Sequence, residues 1–226
     1  MKTLWKQYDE ITLQCYIDST KNEYSQERWD EAFRLLADIF ARAKAETPEV
    51  LTDLADFEAS IDYQYDISGW LTEYLDGLAE GQQFEKIVEA CQYIIETFQW
   101  EKDSPAEYRY RLTAAMVAQK KVTEALVYCK VWYEQESDSP VAASALIELL
   151  TITEQFDKAE EILQKFITEE TVCDVETEGL FSIASYLYER SGDEAKKASI
   201  DSRMASYAAQ LEELMSKYQN CSDLPF

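Results

Sequence analysis

The chain has 226 residues, 46% hydrophobic and 13% aromatic, with only 5 Gly and 4 Pro. That excludes a disordered chain and favours helix throughout, in a length that suits one domain or two small ones. A net charge of −24 repels phosphate backbones and anionic lipid headgroups, so neither nucleic acid nor membrane is an expected partner; the excess acid either serves solubility alone or meets a basic partner.

There is no histidine. Ser-His-Asp and Cys-His nucleophile systems, His-ligated zinc and Glu-x-x-His di-iron sites are thereby excluded. Walker loops, GxGxxG and EF-hand loops are absent from the sequence, and nothing calls for a cofactor or a metal. The cysteines Cys15, Cys91, Cys129, Cys173 and Cys221 are odd in number, far apart and never spaced as CxxC. Reduced thiols in a cytoplasmic protein fit that pattern.

In chain order, the opening "MKTLWKQYDEITLQCY" carries Asp9 and Glu10 where a signal peptide needs an unbroken apolar run, and no long apolar stretch follows anywhere. "QERWDEAFRLLADI" puts Trp29, Ala32, Leu36 and Ile39 at spacings of 3, 4 and 3, one face of a helix. The same four slots return as Phe84, Ile87, Cys91 and Ile94, as Val122, Ala125, Cys129 and Trp132, and as Phe156, Ala159, Leu163 and Phe166. Gly192, Ala195, Ser199 and Ser202 form a faded copy. The anchors Ile87, Ala125, Ala159 and Ala195 lie 38, 34 and 36 residues apart. A preceding helix is echoed too, by Leu78, Met116, Leu150 and Tyr186 nine residues before each anchor and by Tyr74, Leu112, Leu146 and Ser182 thirteen before.

A two-helix unit near 34 residues with a small residue early in its second helix resembles the tetratricopeptide repeat. The resemblance covers residues 68–200, with a partial copy over 11–45. It departs from the family at the anchor Ile87, at Thr113 and Ile147, which fill a slot usually given to Gly or Ala, and at the late prolines Pro105 and Pro140. It implies an all-α, right-handed solenoid of antiparallel helix pairs, about ten or eleven helices in one domain, 1–226. Cys91 and Cys129 then fill an interior slot. Ser104-Pro105 and Ser139-Pro140 read as helix starts, Gly81, Gly179 and Gly192 as punctuation, and a last long helix from about Asp193 to Tyr218 as a cap, with "CSDLPF" frayed behind it.

Between Ala32 and Ile87 the period is exceeded by about twenty residues, and from Ala45 to Glu85 there are eleven acids and no Lys or Arg. An inserted helix over 46–67 is expected there. Glu46, Glu49, Asp53 and Asp56 would form a carboxylate ladder on it, opposite an apolar stripe of Val50, Leu54, Phe57, Ile61 and Tyr65. The ladder is either an ordinary solvated face or a docking surface for a basic partner. In "DYQYDISGWLTEY", Tyr63, Tyr65, Trp70 and Tyr74 alternate with Asp62, Asp66 and Glu73. Such a run either packs as a helix seam or holds Lys and Arg by charge and cation–π contact. Tyr63 is the member expected outside.

The tetratricopeptide resemblance further implies a concave groove. Its face maps to Thr72, Glu73, Asp76 and Glu80, then Glu107, Tyr110, Arg111 and Val117, then Ser144, Glu148 and Thr151. With Arg111 its only base, the groove lacks the Lys and Asn clamp of chaperone-binding members. The expected function is a non-enzymatic scaffold holding a basic or amphipathic segment of another protein. The expected binding residues are Glu46, Glu49, Asp53, Asp56, Tyr63, Glu73, Asp76, Glu80, Tyr110, Arg111 and Glu148. A self-assembling helical protein, for instance a homodimer, and a carboxylate-based hydrolase are the alternatives.

Overall fold

A computed structural model describes residues 2–21 and 23–219. The described residues form eleven α-helices, one short 3-10 helix and no strand. No helix among them is long and apolar enough to cross a membrane. The chain divides into two compact units, Met1–Lys120 and Lys121–Phe226.

The first unit holds α1 (Lys2–Thr20), α2 (Gln26–Glu46), the 3-10 helix (Pro48–Leu51), α3 (Leu54–Ser60), α4 (Ile67–Glu80), α5 (Phe84–Thr97) and α6 (Ala106–Ala118). In α2 the residues Trp29, Ala32, Leu36, Ile39, Phe40 and Ala43 are all buried, as a 3.6-residue period dictates for a helix with one dry face. Helix α1 packs on α2, α2 on the 3-10 helix and α4, and α5 on both α4 and α6. Aromatic rings fill much of this interior. Trp70 stacks with Trp29 (centroids 5.5 Å, 14°) and with Tyr74 (5.5 Å, 8°), and Phe40, Phe57 and Phe98 meet edge to face. Polar ties hold the helices in register. Asp30 on α2 accepts the Tyr74 hydroxyl at 3.1 Å and the Lys86 ammonium at 2.5 Å, and the Tyr93 hydroxyl donates to the Ala37 carbonyl at 2.9 Å.

The second unit holds α7 (Val122–Gln135), α8 (Pro140–Ile152), α9 (Phe156–Leu163), α10 (Glu178–Ser191) and α11 (Glu194–Gln219). Helix α8 lies at its centre, against α7, α9 and α10, and nine of its thirteen residues are buried. Ser139 caps it, its hydroxyl accepting from the Ala142 N–H at 3.3 Å, ahead of Pro140 as expected. Helix α11 packs on α10 through Ile200, but Leu211, Leu214 and Met215 further along are exposed.

Four features differ from the expectation. The inserted helix over 46–67 does not exist as one element: α2 ends at Glu46, because Pro48 cannot donate to the ladder and holds Thr47 out of helical geometry (φ −146°, ψ 63°). Helix α6 begins one residue late, with Pro105 rather than Ser104 at the N-cap, and Gly179 lies inside α10 rather than ending anything. The faded copy is no copy, since Ala195, Ser199 and Ser202 are exposed while Ile200 is buried. Gly192, at φ 77°, ends α10 in a left-handed turn three residues before the supposed anchor. The segment "CSDLPF" lies outside the described residues.

The stretches ahead of three of the expected anchors, Ile87, Ala125 and Ala159, share a local device. Gln82, Lys120 and Glu154, each five residues before its anchor, adopt left-handed φ values of 53°, 64° and 58°. After the first and third, Gln83 and Gln155 donate their N–H to the carbonyls of Leu78 and Leu150, both at 2.8 Å.

Candidate functional site

The four acids expected on one ladder are dispersed by the break at Pro48. Glu46 ends α2 and accepts from Arg42 Nε at 2.7 Å, a bond that holds its carboxyl below the usual range. Glu49 is exposed on the 3-10 helix. Asp53 is wholly buried and accepts the backbone N–H groups of Lys102 (3.2 Å) and Asp103 (3.0 Å). It is a structural acceptor, not part of a docking surface. Asp56 pairs with Lys102 Nζ at 2.7 Å.

On α4, Glu73, Asp76 and Glu80 are exposed, as an i, i+3, i+7 spacing opposite the buried Trp70, Leu71, Tyr74, Leu75 and Leu78 requires. Arg111 on α6 is already committed, to Asp76 at 2.6 Å and Glu107 at 3.0 Å. Tyr110 beside it is half-buried. Glu148 is half-buried on α8 of the second unit, and its neighbours in the mapped groove, Ser144 and Thr151, are core residues there; the Thr151 hydroxyl donates to the Ile147 carbonyl at 2.7 Å. Those two positions are therefore not an open face, because α8 is covered on nearly every side. Tyr63 is 68% exposed, in the turn that follows α3.

That turn leads to a cavity of the first unit. It is open, about 250 Å³, and lined by Tyr8, Asp9, Thr12, Leu13 and Tyr16 of α1, by Gln64, Tyr65 and Asp66, and by Trp70 of α4. Its position follows from the chain's local chemistry. Asp62 and Tyr63 both take left-handed φ (55° and 52°), and Tyr63 donates its N–H back to the Glu58 carbonyl at 2.9 Å. The buried Glu58 carboxylate accepts the Ser68 N–H at 2.8 Å, which fixes the start of α4. Asp66 then caps α4 by accepting the Gly69 N–H at 2.8 Å. A Cβ at position 69 would stand 2.4 Å from Asp66 Oδ2, so glycine is what lets that carboxylate fold over the helix start.

The walls are aromatic. Tyr8 meets Tyr65 and Trp70 edge-on at 5.7 and 5.8 Å, and Tyr65 stacks on Trp5 at 4.7 Å. Negative charge surrounds them. Burial, then the Glu73 and Asp66 carboxylates, push the Tyr16 phenol up to about 12. Burial and Asp9 raise that of Tyr65. No Lys or Arg lines the cavity. Asp9, Asp66, Glu73 and Glu80 have no basic partner among the described residues, whereas Asp18 and Asp30 have Arg28 and Lys86. The sequence run 62–74 signalled Tyr65, Asp66 and Trp70; Tyr8, Asp9 and Tyr16 were missed, though their aromatic and acidic alternation on α1 is the same signal.

A second open cavity, in the other unit, is lined by Glu169, Glu170, Cys173, Arg203 and Tyr207 among others. Its arginine is spent on the carbonyls of Thr168 and Thr171 and lies over the Phe181 ring at 4.6 Å. Among the described residues no group of three or more Cys, Asp and Glu is arranged to hold a metal ion. No protein-family model, curated protein or solved structure matches the chain.

Proposed function

We propose that the protein is a non-enzymatic interaction module of the cytoplasm that binds a basic or amphipathic segment of another protein. The observation that carries this is the uncompensated acid of the first unit. Glu73 and Glu80 stand exposed on α4, Asp9 and Asp66 rim an aromatic cavity, and none has a basic partner among the described residues. Neighbouring cations are consumed in ion pairs, among them Arg28, Lys86, Lys102 and Arg111. Unpaired carboxylates at this density repel one another, and a cationic segment relieves the repulsion on binding. As scaffold we propose a divergent tetratricopeptide-like solenoid of antiparallel helix pairs. The left-handed turns at Gln82, Lys120 and Glu154, spaced 38 and 34 residues apart like the anchors Ile87, Ala125 and Ala159, support it.

The test is calorimetric titration with an amphipathic lysine-and-leucine peptide at low and high salt. Binding that weakens as salt rises, and weakens again in Glu73→Gln/Glu80→Gln, is expected. Affinity indifferent to both changes would refute an acidic docking surface.

A further inference from the structure

We propose that the cavity between α1, the 61–66 turn and α4 is a subsite for one lysine side chain of the bound segment, its ammonium received by Asp9 and Asp66 and its alkyl stem by Tyr16 and Tyr65. This rests on the interaction-module function proposed above and assigns it a chemical anchor.

The occupant follows from the lining. A neutral apolar group would strip water from two carboxylates and leave them without partners, and an anion would be repelled. A cation is the one class that suits Asp9, Asp66 and the nearby Glu73 together. Ammonium is preferred to guanidinium on geometry. Arginine gains from a free ring face to stack on and from a carboxylate that can take two parallel bonds. Here Trp70 already stacks with Trp29 and Tyr74, and Tyr65 with Trp5. Asp66 Oδ1 is occupied by the Gly69 N–H at 2.8 Å and lies 3.4 Å from the Ser68 hydroxyl. What remains on Asp66 is one oxygen, Oδ2, suited to a point charge. Tyr16 is 40% exposed and offers its ring to the four-carbon stem, which buries along apolar surface while its head stays polar.

The experiment uses full-length protein labelled with 15N and follows the Trp70 indole N–H, assigned through Trp70→Phe. The probe is a peptide of alternating lysine and alanine, compared with its arginine counterpart and its fully acetylated counterpart. The lysine peptide is expected to move the Trp70 signal saturably, the arginine peptide to bind ~5-fold or more weaker, and the acetylated one not to bind. Asp9→Asn/Asp66→Asn should raise the dissociation constant ~10-fold or more; asparagine caps a helix as well as aspartate, so an unchanged melting curve will show that the fold persists. If the lysine peptide binds while the Trp70 signal stays still, the pocket is not the subsite although the module proposal stands. If no peptide binds, both fall. An arginine peptide bound as tightly as the lysine one would overturn the ammonium assignment.

Discussion

Lys102 holds two acids at once: its backbone N–H bonds to the buried Asp53 carboxylate at 3.2 Å and its Nζ to Asp56 at 2.7 Å. The segment around it runs along the start of α3, with the Trp100 N–H bonded to the Thr52 carbonyl at 2.8 Å. The two acids will therefore respond differently to substitution. Asp53→Ala strands two backbone donors and should cost about 1–3 kcal/mol. Asp53→Lys buries an unpaired cation and should cost more, so reversing this residue will lower the melting temperature. Asp56→Ala removes a largely exposed ion pair and should cost no more than ~1 kcal/mol. Chemical denaturation of the three variants checks the order.

Tyr63 adopts φ 52° with its side chain 68% exposed. A left-handed backbone costs a non-glycine residue about 1–2 kcal/mol, part of which glycine returns through its greater freedom when unfolded. Tyr63→Gly should therefore stabilise the protein by ~0.5–1 kcal/mol, seen as a higher denaturation midpoint. A lower midpoint would mean that the ring makes contacts worth more than the backbone strain.

Ala125 is completely buried on α7, whereas Phe156 at the start of α9 is only half-buried. Ala125→Leu should cost about 1–3 kcal/mol by overpacking. Phe156→Ala should cost less than the ~3–5 kcal/mol of a fully buried phenylalanine. Thermal melts that rank Phe156→Ala as the more damaging by a wide margin would place that ring deeper than it lies here.

Alkali should unfold the protein through its buried acids of high pKa. Burial pushes the Cys15 thiol up to about 11 and the Cys91 thiol up to about 12. The folded state thus keeps these protons after the unfolded chain has released its own, and the linkage sign is negative: stability falls as pH rises. It should be intact below about pH 8, where an unfolded thiol begins to ionise, and decline from there up to the folded values. Cys91→Ala should flatten the decline in a series of melts across that window. The same burial predicts that these thiols resist alkylation in the native protein.

The helical stripes were legible because helix periodicity is local. Trp29, Ala32, Leu36 and Ile39 need only their own spacing to declare a dry face, and all four are buried. The carboxylate ladder failed for a reason also present locally: Thr47-Pro48 ends α2, and the spacing of Glu46, Glu49, Asp53 and Asp56 merely coincides with a helical one. The burial of Asp53 was not legible at all. It depends on a backbone segment about fifty residues away, and a lone aspartate carries no mark of so distant a donor. The cavity was half legible. Tyr65, Asp66 and Trp70 stand in one run, but Tyr8 and Tyr16 reach them only through the packing of α1.

The stacked pair Trp29–Trp70 gives the molecule an optical address. Two indoles at 5.5 Å and 14° couple their excited states, so the first unit should show a dichroic couplet at the indole bands that vanishes when α2 and α4 part. Trp5, Trp29, Trp70 and Trp100 all belong to that unit and Trp132 alone to the other. The couplet of the unaltered protein and the emission of a Trp132-only variant thus report the two units in parallel melts, and whether they melt together becomes a matter of overlaying two curves.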